Sequence, residues 1–198
     1  MCPRRRWSCV LALSLLVSCR SSSPAPLANG SAGAAAASTP LVLAAAEGER
    51  RERRPSGPQT AGLTTPFIIK IDRQNGGAPD FVMGTEDIAP GHAIAPHRHL
   101  KADEIIFIHR GSGAVELGEQ RRAVGEGATI YIPKDVRIAL RNTGTTPMSI
   151  AFIFSKPGFE DLMRENSVLE GQPAPPLSDA ERTAIRARHT SHTVYERP

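Results

Sequence analysis

Two histidines one residue apart, and a glutamate five positions past the second, are the residues of this chain best placed to do chemistry. They lie in the stretch Gly91 to Gly111, GHAIAPHRHLKADEIIFIHRG. His97 and His99 stand at i and i+2. On a β-strand such residues leave the same face, because successive side chains alternate. Two imidazoles and the Glu104 carboxylate on one inward face make a three-ligand metal site with open positions. That is the two-His, one-carboxylate arrangement that suits non-haem Fe(II). A histidine pair alone also serves as ordinary surface or core polarity, so the whole spacing carries the reading.

That spacing resembles the first motif of the cupin superfamily: glycine, five residues, histidine, one residue, histidine, three or four residues, glutamate, six residues, glycine. Gly91, His97, His99, Glu104 and Gly111 fill every fixed position. The second motif of the family runs glycine, five residues, proline, one residue, glycine, two residues, histidine, three residues, asparagine. GATIYIPKDVRIALRN is similar to it, with Gly127, Pro133 and Asn142 in place. Asp135 stands for the family's glycine, a mild departure because aspartate tolerates the left-handed turn. Ile138 stands for its last metal-binding histidine. Isoleucine cannot ligate, so the motif residues supply three ligands at most.

The elements that must position these residues read as short strands: 67–71, 80–88, 93–99, 104–109, 114–117, 121–124, 128–132, 136–142 and 149–154. Turn residues separate them, Asn75-Gly76-Gly77 and Gly111-Ser112-Gly113 among them. Strands at this interval predict an all-β sandwich or barrel. The resemblance sharpens that to a double-stranded β-helix, the jelly-roll cupin barrel. Helices are expected at 158–166 and from a Ser178 to Glu181 capping box to about Arg188. They are expected to pack outside the barrel or to close an oligomer interface. The last residues, HTVYERP, read as a short edge strand.

Strand parity places Glu104, Ile106 and Ile108 on one face, and Ile138 and Leu140 on one face of a later strand. Ile106, Ile108, Ile138 and Leu140 are therefore expected to line an apolar pocket around the polar cluster, as small-molecule sites usually do. His92 has the wrong parity and reads as a surface residue. His109 points away from Glu104.

The N-terminus reads as a targeting signal. Arg4 to Arg6 precede a short apolar run, Trp7 to Val17, too short to span a bilayer. Leu16-Val17-Ser18-Cys19 resembles the bacterial lipobox, which implies cleavage before Cys19 and its lipidation. An ordinary secreted protein is the alternative. The three cysteines are Cys2, Cys9 and Cys19, so the mature body has no disulfide framework. The net charge of +4 shrinks when the signal arginines are set aside: 24 Lys and Arg fall to 21, against 20 Asp and Glu. Nothing argues for a nucleic-acid partner.

The expected organisation is a signal peptide over 1–18, a disordered Ala/Ser/Pro/Arg-rich linker over 19–63, a cupin barrel over 64–155 and a helical extension with a tail over 156–198. SKPGFEDLMREN and SDAERTAIRARH are similar to the tail of quercetin-dioxygenase-like single-domain cupins, a resemblance that covers about Pro66 to Arg188. It implies a divalent metal (Fe, Mn, Ni or Zn) and an oxidoreductase acting on a small apolar substrate. The lipobox implies a lipid anchor in the cell envelope, and a homodimer is a further expectation. Cupins also include isomerases, lyases and binding modules, and fold does not fix function. The competing reading is a non-catalytic small-molecule-binding lipoprotein whose metal site is degraded at Ile138.

Overall fold

Apolar residues at alternate positions of short segments build this protein. A computed structural model describes residues 38–55 and 66–196. The signal segment, Cys19, and the linker residues 19–37 and 56–63 lie outside the described residues. The first strands are β1 Glu49–Arg53, β2 Pro66–Ile71, β3 Val82–Ile88, β4 Ala93–His99 and β5 Glu104–Arg110. Next come β6 Ser112–Leu117, β7 Gln120–Gly125, β8 Thr129–Ile132, β9 Ile138–Asn142 and β10 Met148–Phe154. Helix α1 Phe159–Glu165, β11 Ser167–Leu169, α2 Asp179–Arg188 and β12 Thr193–Tyr195 complete the chain.

Two antiparallel sheets result. One has the order β11-β1-β2-β3-β10-β5-β8 and the other β12-β4-β9-β6-β7. This is the all-β double-stranded β-helix that the resemblance implies, with two short helices. Strand β10 shows the cause: its residues alternate strictly between buried and half-buried. The inward residues form a core that includes Ile88, Ile106, Ile130, Leu140 and Ile150. Each such side chain contributes about 1.5–3 kcal/mol on burial. A second cluster of Phe67, Ile69, Val82, Phe152 and Phe154 continues it towards α1 through Met163.

The second motif works as a structural clasp. Asp135 has φ 62° and is the one non-glycine with positive φ among the described residues. The departure from glycine is accommodated as expected. The buried Asn142 side chain donates to the carbonyls of Ile88 (2.7 Å) and Thr146 (2.8 Å) and accepts from the Gly144 N–H (2.8 Å). Gly111 closes the first motif at φ 85°, where a Cβ would sit 2.8 Å from the Met148 backbone.

The linker expectation for 19–63 fails at Glu49–Arg53. ERRER is strand β1, inserted between β2 and β11. Composition suggests a solvated run, but the arginines have carboxylates waiting far along the chain. Arg50 pairs with Glu170 at 2.5 Å, and Arg53 with Glu86 at 2.7 Å. The Lys70 ammonium donates to the carbonyls of Ala44, Ala45 and Glu47, fixing the approach to the strand.

The two helices pack on one another and, through Met163, on the barrel. Leu162, Leu177 and Ile185 pack together, with Phe159 and Tyr195 against them. The helical extension thereby folds back over the open end of the barrel. The Ser178–Glu181 capping box is present and starts α2. Strand β12 then joins the second sheet beside β4.

One ion-pair knot ties these additions to the barrel. Arg164 of α1 reaches Glu49 of β1 (2.5 Å) and Asp72 after β2 (2.6 Å), and Asp72 is fully buried. Burial, the largest effect, opposes the charge on Arg164, and its two carboxylate partners together outweigh it. Removing one partner of a buried pair strands the other charge and costs about 3–5 kcal/mol. Arg164→Met is therefore expected to destabilise the protein by about that amount in denaturant unfolding. A loss inside the range of exposed pairs, below about 1 kcal/mol, contradicts this account of the knot.

Candidate metal centre

His97 and His99 stand on β4 with their side chains on one buried face, and Glu104 opens β5 facing them. All three are buried. One ligand atom from each lies within 4.8 Å of the others. His97 Nε2 is 3.0 Å from His99 Nε2, which is 3.3 Å from Glu104 Oε2.

The proton positions follow from the partners. His97 Nδ1 lies 2.7 Å from the Ala95 carbonyl, which can only accept. Nδ1 therefore carries the proton and Nε2 keeps a lone pair aimed at the cluster. Thr193 Oγ1 lies 3.4 Å from His99 Nδ1. A hydroxyl both donates and accepts, so Thr193 serves either tautomer of His99. At 3.0 Å from the His97 Nε2 lone pair, His99 Nε2 carries the proton and donates to it in the metal-free protein. Moving that proton to Nδ1, towards Thr193, would free a second lone pair for a metal. Glu104 Oε2 is buried and has no hydrogen-bond partner. Such an orphan acceptor costs about 1–3 kcal/mol. Two imidazole Nε2 atoms and a partnerless carboxylate oxygen around one point fit a divalent cation, which would satisfy all three at once. His97, His99 and Glu104 are the residues that would hold it.

Burial sets the electrostatics. It pushes both imidazoles down to about 4, with the neighbouring His99 adding to the effect at His97. It pushes the Glu104 carboxyl up to about 7, against a smaller opposing pull from His97. Neutral imidazoles are the form a metal needs.

The surroundings are aromatic. Phe159 of α1 stacks on His97 at 6.0 Å and meets His99 edge-on at 4.5 Å. Phe154 lies 4.9 Å from His99. Tyr195 lies 5.6 Å from His97, the residue it faces across the β12–β4 ladder. A cavity of about 270 Å³ opens beside His97 and Glu104. Its apolar wall includes Ile88, Ile94, Ile106, Phe152, Phe159 and Met163.

Of the residues expected to line the pocket, Ile106 does so. Ile108, Ile138 and Leu140 do not. They are wholly buried in the inter-sheet core, filled from the opposite sheet. Ile138 nonetheless pairs with His97 across β9 and β4, so it sits beside the histidine on the same face. His92, read as a surface residue, is half-buried and lines the cavity away from the three-residue cluster. His109 is exposed, as its parity requires. Sequence reasoning missed Thr193, Tyr195 and Phe159 as residues of the site. They reach the site from the C-terminal extension, and no local spacing announces a contact made 94 residues away.

Residues 84–154 match the cupin domain family. Together with the fold, this makes residues 84–154 a cupin domain. Among curated proteins it is similar to SchB of Streptomyces halstedii, 30% identical over 95 residues that cover 48% of this chain and 58% of that protein. It is also similar to the dimethylsulfoniopropionate lyase DddW of Ruegeria pomeroyi, 30% identical over 81 residues covering 41% of this chain and 52% of that one. The matches span between 52% and 62% of the length of these curated relatives. The fold is shared with the crystal structure of a predicted oxalate decarboxylase from Thermotoga maritima. That likeness covers 59% of this chain and 100% of the other, at 14% identity and a TM-score of 0.51.

Two outcomes follow from the hydrogen bonding. Removing the partner of a metal-binding histidine typically weakens metal affinity about 10–100-fold. The Thr193 contact is long, so Thr193→Val is expected to weaken Zn(II) binding by about tenfold, at the low end of that range. Unchanged affinity in a metal titration contradicts the role given to the hydroxyl. Glu104 in the metal-free protein holds its proton below about pH 7. Metal uptake at pH 6 should therefore release close to one more proton than uptake at pH 8. Calorimetry in buffers of different ionisation heat measures this, and equal release at both pH values contradicts the raised carboxyl.

Proposed function

We propose that this protein is a metal-dependent cupin enzyme that converts a small molecule in the cavity beside His97, His99 and Glu104. The observation that carries the reading is the convergence of two imidazole Nε2 atoms with the orphaned Glu104 oxygen. Bound Fe(II) supplies dioxygen chemistry there, and a redox-inert ion supplies Lewis-acid polarisation. The oxidoreductase class is the finer reading, supported by the two-His, one-carboxylate donor set and by the sequence likeness to quercetin-dioxygenase-like cupins. The similarity to a protein named as a lyase supports catalysis over passive binding.

The chain's own residues prepare the site. Three ligands leave positions open, and Ile138 adds no fourth. Phe154 and Phe159 enclose the imidazoles and keep bulk water from them. Burial raises the Tyr195 phenol above its ordinary range, so it keeps its proton at neutral pH. Tyr195 lines the cavity and can donate that proton in a hydrogen bond to a ligand. The volume sits just below the roughly 300–1,000 Å³ of drug-sized sites, which favours a small substrate.

The proposed location is the bacterial cell envelope, with the barrel tethered through lipid on Cys19. Arg4 to Arg6, the apolar run and Leu16-Val17-Ser18-Cys19 support it.

One observation favours a second reading, a binding protein without catalysis: the core isoleucine in place of the family's last histidine. Metal analysis separates the two. The protein loaded with Fe(II), Mn(II) or Zn(II) is expected to retain about one ion per chain. His97→Ala should lose it with the fold intact by circular dichroism. Failure to retain any of these ions contradicts the enzyme reading and leaves the binding protein.

A further inference from the structure

Four arginines line the cavity: Arg53, Arg54, Arg182 and Arg186. Two carboxylates line it with them, Glu86 and Glu104. Glu86 is spent on Arg53, in a two-point contact of 3.1 and 2.7 Å. Glu104 belongs to the metal cluster, where a cation would cancel its charge. The cavity is thus left with an excess of positive charge on Arg54, Arg182 and Arg186.

These three are weakly committed. Arg54 donates to the Pro175 carbonyl at 3.0 Å and stands 3.4 Å from Glu181, whose side chain is half exposed. Arg186 is exposed, lies over the Tyr195 ring at 4.2 Å and enters no ion pair among the described residues. Arg182 pairs through Nη2 with Asp179, a carboxylate almost fully in solvent. Its Nη1 is buried with no partner. Among the described residues, Glu104 Oε2 and Arg182 Nη1 are the two buried side-chain polar atoms in that condition. Both residues line this one cavity, with an apolar wall shared between them.

A partnerless carboxylate oxygen and a partnerless guanidinium N–H on one cavity call for complementary ligand groups. The first is met by the metal. The second needs an acceptor, and an anionic acceptor gives the strongest bond to a guanidinium. We infer, on the reading of this cavity as a small-molecule site, that its ligand is a small organic carboxylate. Its charged group is held by Arg182 and Arg186 of the C-terminal helix while its apolar body lies along Ile88, Ile106 and Phe152. Arg186, stacked on Tyr195, ties the carboxylate end to the phenol beside His97. Arginine suits this task because its planar fork matches a carboxylate at two points. The segment that covers the barrel mouth would then also select what enters it.

Calorimetry on the Mn(II)-loaded full-length chain tests this with hexanoate and its neutral amide, hexanamide. Hexanoate is expected to bind at least about tenfold more tightly, the effect of about 1.4 kcal/mol. The double substitution Arg182→Gln with Arg186→Gln should remove that preference and leave Mn(II) stoichiometry unchanged. Equal binding of the two compounds overturns the inference, as does an undiminished preference in the double variant, or no binding of either compound. The first comparison uses the unsubstituted protein and so decides the matter even where the variant fails to fold. The metal reading fails separately: an arginine-dependent preference in protein that takes up no Mn(II) keeps the carboxylate and removes the metal.

Discussion

The structure is organised by the burial of two imidazoles and a carboxylate without enough hydrogen-bond partners for all of them. Taking a charged or polar group out of water is unfavourable unless something replaces the water. Here the replacement is incomplete. His97 is satisfied by the Ala95 carbonyl and His99 is within reach of Thr193, but Glu104 Oε2 has nothing. The chain answers through protonation state, with neutral imidazoles and a carboxyl that holds its proton unusually high. A divalent cation resolves the same conflict more completely. The deficit at this point is what gives the barrel an affinity, and the rest of the fold keeps that point dry.

Keeping it dry is the work of segments outside the two motifs. Strand β1 and the residue after it lay Arg53 and Arg54 along the cavity, and α1 sets Phe159 against both imidazoles. Strand β12 brings Thr193 opposite His99 and Tyr195 opposite His97. The Arg164 knot joins α1 to β1 and to Asp72, so N-terminal and C-terminal additions hold each other down. The barrel supplies ligands; the additions supply the hydrogen-bonding hydroxyl, the phenol, the aromatic enclosure and the arginines. Loss of either addition would open the metal cluster to solvent and weaken every electrostatic effect in it.

Much of this was legible in the sequence, for definite reasons. The i, i+2 spacing of His97 and His99 fixes a shared face on any strand, and turn residues at short intervals leave little but a sandwich. Asp135 could be trusted in a left-handed turn because aspartate tolerates it. What was not legible depends on contacts between distant segments. ERRER reads as solvated until Glu86 and Glu170 are known to face it. Ile108, Ile138 and Leu140 have the right parity for a pocket, yet parity cannot say whether the opposite sheet fills the space, and it does. His92 had the wrong parity and lines the cavity all the same, because a cavity wall is wider than one strand face. Arg186 in the last turn of α2 suits the helix dipole, and Arg182 stands one turn earlier on the same face. Only the fold shows which wall they stand on.

Anomalous X-ray diffraction at the zinc edge, from crystals of the Zn(II)-loaded protein, tests the central claim most directly. The account predicts one strong peak about 2.0–2.2 Å from His97 Nε2, His99 Nε2 and a Glu104 oxygen. A peak elsewhere, or a fully loaded crystal with no peak between those three atoms, would contradict it.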